Sequence, residues 1–166
     1  MRPTSGVRAM KTMQITVQLN GHAKHWSIAP GDILLDVLRR EGYIGAKRGC
    51  ETGACGACTV LVNGKPIDSC LMFAAQADGK EILTIEGLAE GDQLHPLQEA
   101  FLDHGAVQCG YCTPGMILNS KALLDHNPDP TETEVREMLS GNICRCTGYT
   151  KPVAAVMAAA RAEGNK

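Results

Sequence analysis

No run of apolar residues in this sequence approaches the ~18–20 that a membrane-spanning helix requires, so no transmembrane segment is expected. The opening "MRPTSGVRAMKTM" has neither an apolar core nor a twin-arginine pair. Export is therefore not expected, a cytoplasmic location is, and residues 1–12 read as a flexible tail. Aromatic side chains make up only 4% of the chain, so its core must come from Leu, Ile, Val, Met and Ala. The formal net charge of −2 offers no excess of either sign, which argues against nucleic acid or an anionic membrane as a partner. His22, His25, His95, His104 and His126 are scattered with no partner at ligand spacing. No nucleophile stands with a base, so no catalytic residue is assigned, and no glycine fingerprint for a dinucleotide is present.

What the sequence does have is cysteine: eight of them in 166 residues. "GCETGACGAC" places Cys50, Cys55 and Cys58 in a stretch of glycine and alanine that can pack almost nothing. In a chain read as cytoplasmic, disulfides are disfavoured, which leaves metal ligation, catalysis or both.

The surrounding pattern has two halves. "MQITVQLNGHAKHWSIAP" alternates Ile15, Val17 and Leu19 with polar residues ahead of the turn signal Asn20-Gly21, a hairpin. Asp32 is expected to cap the helix in "ILLDVLRREG", with Ile33, Leu34, Val37 and Leu38 as its apolar face. "TVLVNGKPIDSC" is a second hairpin about Asn63-Gly64, and "EILTIEGL" a further strand. Together these make a small α+β domain with one helix across a sheet.

From about Leu94 the pattern is helical. "HPLQEAFLDHG", "TPGMILNSKALLDHN", "PTETEVREML" and "TKPVAAVMAAARAEG" are the expected helices. Thr113 is expected to cap the second of these, and Thr131 with Glu134 to form a capping box on the third. "HGAVQCGYCTPG" and "SGNICRCTGY" echo each other: helix, Gly, two cysteines, Thr, Gly, helix. Two such units would make a four-helix bundle with its four thiols at a pseudo-twofold.

Cys50, Cys55 and Cys58, with eleven residues before Cys70, follow the Cys-x4-Cys-x2-Cys…Cys spacing of plant-type 2Fe–2S proteins. Three thiolates on a tight loop reach both irons while the fourth closes the site from a neighbouring hairpin. Gly49, Gly53 and Gly56 let backbone amides approach the sulfurs. Structural zinc usually takes two Cys-x2–4-Cys pairs and gains nothing from such an amide cage. Cys109, Cys112, Cys144 and Cys146 have a spacing that, alone, permits zinc or a cluster.

"GCETGACGACTVLVNGK", "QCGYCTPGM" and "GNICRCTGY" together resemble the iron–sulfur subunit of the molybdenum hydroxylase, or xanthine oxidase, family, which includes xanthine dehydrogenase, carbon monoxide dehydrogenase and 4-hydroxybenzoyl-CoA reductase types. The resemblance runs from about Met13 to Val156. It implies a plant-ferredoxin-like (β-grasp) domain over residues 13–88, then an all-α four-helix-bundle 2Fe–2S domain over 89–166. It also implies that Cys50, Cys55, Cys58 and Cys70 hold the cluster nearer FAD, and Cys109, Cys112, Cys144 and Cys146 the cluster nearer molybdenum. Gln108 and Cys146 match positions that touch the pterin. The implied role is single-electron relay from a molybdopterin cofactor on a large subunit to FAD on a medium subunit, in a heterotrimer or a dimer of heterotrimers. A free-standing 2Fe–2S carrier is the alternative.

Overall fold

A computed structural model describes residues 11–164, and all but two residues of the expected N-terminal tail, 1–12, lie outside the described residues. Strands β1 (Met13–Leu19) and β2 (His22–Ile28) pair antiparallel around Asn20-Gly21, whose φ values of 51° and 78° are the left-handed pair that a two-residue hairpin demands. Strands β3 (Thr59–Val62) and β4 (Lys65–Asp68) repeat the device at Asn63-Gly64. Strand β5 (Glu81–Leu83) enters between the hairpins, parallel to β1 and antiparallel to β3, giving one mixed sheet in the order β2-β1-β5-β3-β4. The expected last strand is shorter than "EILTIEGL" because Ile85–Gly87 turns into a 3-10 helix.

Helix α1 (Leu34–Arg40) buries Leu34, Leu35, Val37 and Leu38 against Ile15, Val17, Leu19, Trp26 and Ile28 of the sheet. Asp32 does not cap it. The helix starts one residue later, with Ile33 at the cap position, and the Asp32 carboxylate accepts the Ala29 amide at 3.1 Å to close the turn instead. The first orphan amides of α1 are satisfied by tertiary carbonyls: Leu34 donates to Met72 at 2.8 Å and Leu35 to Ser69 at 3.1 Å. The two carbonyls flank Cys70 closely, so the helix start and the fourth thiol of the first set are fixed together.

Helices α2 (Pro96–Asp103), α3 (Thr113–His126), α4 (Glu132–Ser140) and α5 (Thr150–Gly164) enclose a second core that includes Leu97, Phe101, Met116, Val135, Leu139 and Val156. The capping box on α4 is as expected: the Glu134 amide donates to Thr131 Oγ1, and Glu134 Oε2 accepts the Thr131 amide at 2.7 Å. Those bonds hold the Glu134 carboxyl below its ordinary value. Thr113 is not the cap of α3. Cys112 occupies that position without a side-chain cap bond, and Thr113 begins the helix with Pro114 in the first turn.

Helix α3 is buried from Gly115 to Ser120 because it lies between the other helices and strands β3 and β4. Gly115 touches the first lobe directly: a Cβ there would stand 2.3 Å from the Gly56 carbonyl oxygen. Alanine normally gains about 1 kcal/mol over glycine in a helix, but overpacking against backbone costs about 1–3 kcal/mol and here dominates. Gly115→Ala in the intact protein is expected to lower Tm by about 3–6 °C in a thermal melt, and an unchanged or raised Tm would remove this contact from the account.

Candidate metal centres

The first thiol loop runs from Gly49 to Cys58. Glu51, Gly53 and Gly56 take φ values of 57°, 76° and 64°, winding it tightly. The Thr52 and Ala54 amides donate to Cys50 Sγ at 3.4 and 3.3 Å. Gly49 leaves room for Cys55, since a Cβ would lie 2.6 Å from Cys55 Sγ. Arg48, at the mouth of the loop, pairs with both Asp36 and Glu51. Cys58 and Cys70 are buried, and the Cys58 thiol lies 3.5 Å from Asp68 Oδ1.

These positions set opposite acidities. Hydrogen bonds from Thr52, then from Cys55 and the Ala54 amide, bring the Cys50 thiol down to about 6. Burial pushes Cys58 up to about 12.

The second set sits in two loops, Cys109 and Cys112 between α2 and α3, Cys144 and Cys146 between α4 and α5. Cys112 is buried, which pushes its thiol up to about 12, while Cys109 and Cys146 are exposed, with sulfurs 3.6 Å apart. That contact with Cys109 raises the Cys146 thiol. Burial also works against ionising Cys144, but hydrogen bonds from Thr147 outweigh it and leave the thiol below its ordinary value.

Across both sets the thiols interact in twos: Cys50 with Cys55, Cys58 with Cys70, Cys109 with Cys146, and Cys112 with Cys144. Among the described residues no three His, Cys, Asp or Glu side chains gather as a site for one ion. Soft thiolates in twos, with amides aimed at sulfur, suit a cluster whose two irons each take a pair.

The two loops meet back to back. The Ile143 amide donates to the Cys55 carbonyl at 2.9 Å. Asn142, fully buried, donates from Nδ2 to the Gly56 carbonyl at 2.9 Å and accepts the Asn119 amide at 2.5 Å. Tyr111, within the Cys109–Cys112 loop, donates its hydroxyl to the Arg48 carbonyl at 2.5 Å. That bond ties the half-exposed Tyr111 of the second lobe to the first.

The hydroxyl of Tyr149, a non-glycine residue at φ 68°, accepts the Cys144 amide at 2.8 Å and donates to the Asn142 carbonyl at 3.1 Å. Asn142, Tyr149 and Thr147 went unassigned in the sequence, where only the run "GNICRCTGY" hints at them. Gln108 is exposed and donates to the Cys146 carbonyl at 3.1 Å, so the two residues matched to pterin contact lie side by side. Arg145 is exposed between Cys144 and Cys146.

Comparison with known proteins agrees with this geometry. The 2Fe-2S iron-sulfur cluster binding domain family matches residues 17–88, and the [2Fe-2S] binding domain family matches residues 84–157. The nicotinate dehydrogenase small FeS subunit of Eubacterium barkeri is 54% identical over 148 residues, 89% of this chain and 94% of that protein. The xanthine dehydrogenase iron-sulfur-binding subunit of Escherichia coli O157:H7 is 48% identical over 149 residues, again 89% and 94% of the two chains. The chain is an iron–sulfur subunit of the molybdenum hydroxylase family. It is thus part of an oxidoreductase and carries two 2Fe–2S-binding domains, the first plant-ferredoxin-like.

Among solved structures, quinoline 2-oxidoreductase from Pseudomonas putida 86 superposes with a TM-score of 0.89 at 44% identity, covering 93% of this chain and 97% of that one. Aldehyde oxidoreductase from Desulfovibrio gigas superposes at 0.88 and 44% identity over 93% of this chain, but over only 18% of its own.

Tyr149→Phe removes the hydroxyl that partners Cys144 N–H and the Asn142 carbonyl, at a cost of about 1–2 kcal/mol to that loop alone. In the intact protein, a chelator is expected to strip one cluster several-fold faster than in wild type and the other at an unchanged rate, followed by visible absorbance. Equal loss of both, or no change, would contradict a local role for this hydroxyl.

Proposed function

We propose that this chain is the two-cluster electron-transfer subunit of a molybdenum-dependent hydroxylase. In this reading it passes electrons one at a time from a molybdopterin centre on a large subunit to FAD on a medium subunit, in the cytoplasm. Cys50, Cys55, Cys58 and Cys70 hold the cluster nearer FAD, and Cys109, Cys112, Cys144 and Cys146 the one nearer molybdenum. Gln108 and Cys146 touch the pterin. When bound, each cluster takes up and gives back one electron with little rearrangement of its ligands.

The observation that carries this reading is the bond from the Ile143 amide to the Cys55 carbonyl, 2.9 Å. It joins a residue of one ligand set to the neighbour of a ligand in the other, leaving one hydrogen bond and a few covalent bonds between the sets. A chain of this size that holds two thiol sets in such contact is built for passage between them, not for independent storage.

The remaining roles follow from placement. Cys58, Cys70 and Cys112 are buried and keep water from one side of each site. Cys109 and Cys146 are exposed, as the ligands nearest an outside donor should be. The two separate cores, one spanning Ile15 to Ile82 and the other Leu88 to Ala160, support a division into a β-grasp domain over 13–88 and a four-helix-bundle domain over 89–166. Among the described residues no helix is long and apolar enough to cross a membrane. The partners are accordingly proposed to be the two cofactor-bearing subunits, in a heterotrimer or a dimer of heterotrimers.

Protein isolated from its native host is expected to contain about four irons per chain, two low-temperature EPR signals on reduction, and co-purifying molybdenum and FAD. Cys55→Ser and Cys112→Ser should each abolish a different signal and about half of the iron. Two clusters without molybdenum or partner chains would favour a free-standing carrier, and zinc with no EPR signal would overturn the cluster assignment itself.

A further inference from the structure

Thr147 makes contacts that the relay as described leaves unused. Its amide donates to Cys144 Sγ at 3.4 Å, and its hydroxyl oxygen lies 3.0 Å from the same sulfur. The hydroxyl oxygen is itself engaged, because the Tyr149 amide donates to it at 3.3 Å. With that lone pair occupied and the sulfur present as a metal-bound thiolate, only one arrangement satisfies both contacts: the hydroxyl proton points at sulfur. Tyr149 also fixes the sulfur's own backbone through its bond with the Cys144 amide at 2.8 Å. Donor and acceptor are therefore both held, and the side chain is half-buried, where hydrogen bonds to an anion keep their strength.

We propose that Thr147 is a redox-tuning residue: its hydroxyl, oriented by the Tyr149 amide, donates to the Cys144 thiolate and raises the reduction potential of the helical-domain cluster. This rests on the assignment of Cys144 as a ligand of that cluster. Reduction adds one electron, and the negative charge it places on the sulfurs is stabilised more by a fixed donor than the smaller charge of the oxidised state. The bond therefore favours the reduced form, and removing it shifts the cluster towards oxidised. No proton is transferred and no other bond changes. In the other loop the Thr52 amide donates to Cys50 Sγ at 3.4 Å, so each site has its own donor.

The test is a potentiometric titration followed by EPR on the intact complex, with the second cluster as an internal reference. Thr147→Val keeps the shape and removes the hydroxyl. It is expected to shift the electron's partition between the two clusters about tenfold away from the helical-domain cluster, which is 59 mV for a one-electron couple. The ferredoxin-like cluster should not move. Thr147→Ser, which retains the hydroxyl, should restore the wild-type value. In wild-type protein moved into D2O, hyperfine spectroscopy of the reduced cluster should detect an exchangeable deuteron that Thr147→Val lacks.

Both clusters present with the helical-domain potential unmoved in Thr147→Val would overturn the tuning role, as would equal shifts in the valine and serine variants. Should Thr147→Val fail to assemble, Thr147→Ala takes its place with the same expected shift, and absence in wild-type protein of a deuteron coupling beyond that of the backbone amides refutes the proposal. A wild-type protein showing only one cluster signal would refute instead the ligand assignment on which the proposal stands.

Discussion

Two consecutive carbonyls, of Cys55 and Gly56, are claimed by two consecutive residues of the other lobe, Ile143 and Asn142. Everything else in the arrangement is subordinate to that junction. The Gly56 carbonyl also accepts the Thr59 amide and hydroxyl, but the Cys55 carbonyl takes the Ile143 amide and the buried Asn142 side chain has Gly56 as its acceptor, so these two groups are satisfied across the junction. The contact is made by backbone and one short amide side chain, which have few rotamers to sample. Gly56 and Gly115 are required because a Cβ on either would meet the opposing lobe at 2.3 Å. The separation of the two thiol sets is consequently set by peptide geometry and does not depend on flexible surface side chains.

Burial and local hydrogen-bond donors explain the uneven acidity of the thiols. Those that look into the lobes, such as Cys58 and Cys112, resist ionisation because burial penalises the anion. Those met by hydrogen-bond donors, Cys50 and Cys144, lie below their ordinary value. Each set therefore contains one thiol that ionises readily and one that resists ionisation. A bound cation would supply the charge that the buried thiol needs to release its proton. Asp68, 3.5 Å from the Cys58 sulfur, adds its own negative charge to the burial penalty.

Much of this was legible before any coordinates. Both Asn-Gly turns, the Thr131–Glu134 box and the segregation of strands from helices follow from local chemistry that tertiary structure did not override. The spacing of Cys50, Cys55, Cys58 and Cys70 carried the cluster reading in the same way, whereas that of Cys109, Cys112, Cys144 and Cys146 needed the family resemblance beside it. Local rules failed where distant backbone replaced a local device. Asp32 looked like a helix cap, yet the amides it would have served are taken by Ser69 and Met72 carbonyls over thirty positions away in the chain. Thr113 looked like another, yet Cys112 holds the cap position. Asn142, Tyr149 and Thr147 have no periodicity and no spacing signature: their meaning lies in what they face across a fold, and a single sequence does not record that.

The distribution of apolar surface bears on whether such a chain works alone. Among the described residues eight large apolar side chains are exposed, and three of them, Leu71, Tyr111 and Ile143, are the immediate sequence neighbours of Cys70, Cys112 and Cys144. Scattered exposed apolar residues need no explanation, but concentration beside the thiol loops does. A loop wound around sulfur offers glycine and alanine inward and has no apolar interior of its own, so its larger side chains are left pointing outwards. Water beside a cluster raises the cost of reorganisation on every electron transfer, and covering those side chains with a partner would exclude it. The surface that is hardest to bury within one chain is thus the surface that a neighbouring cofactor subunit has most reason to cover, which fits a relay better than a carrier that must present the same loops to water between encounters.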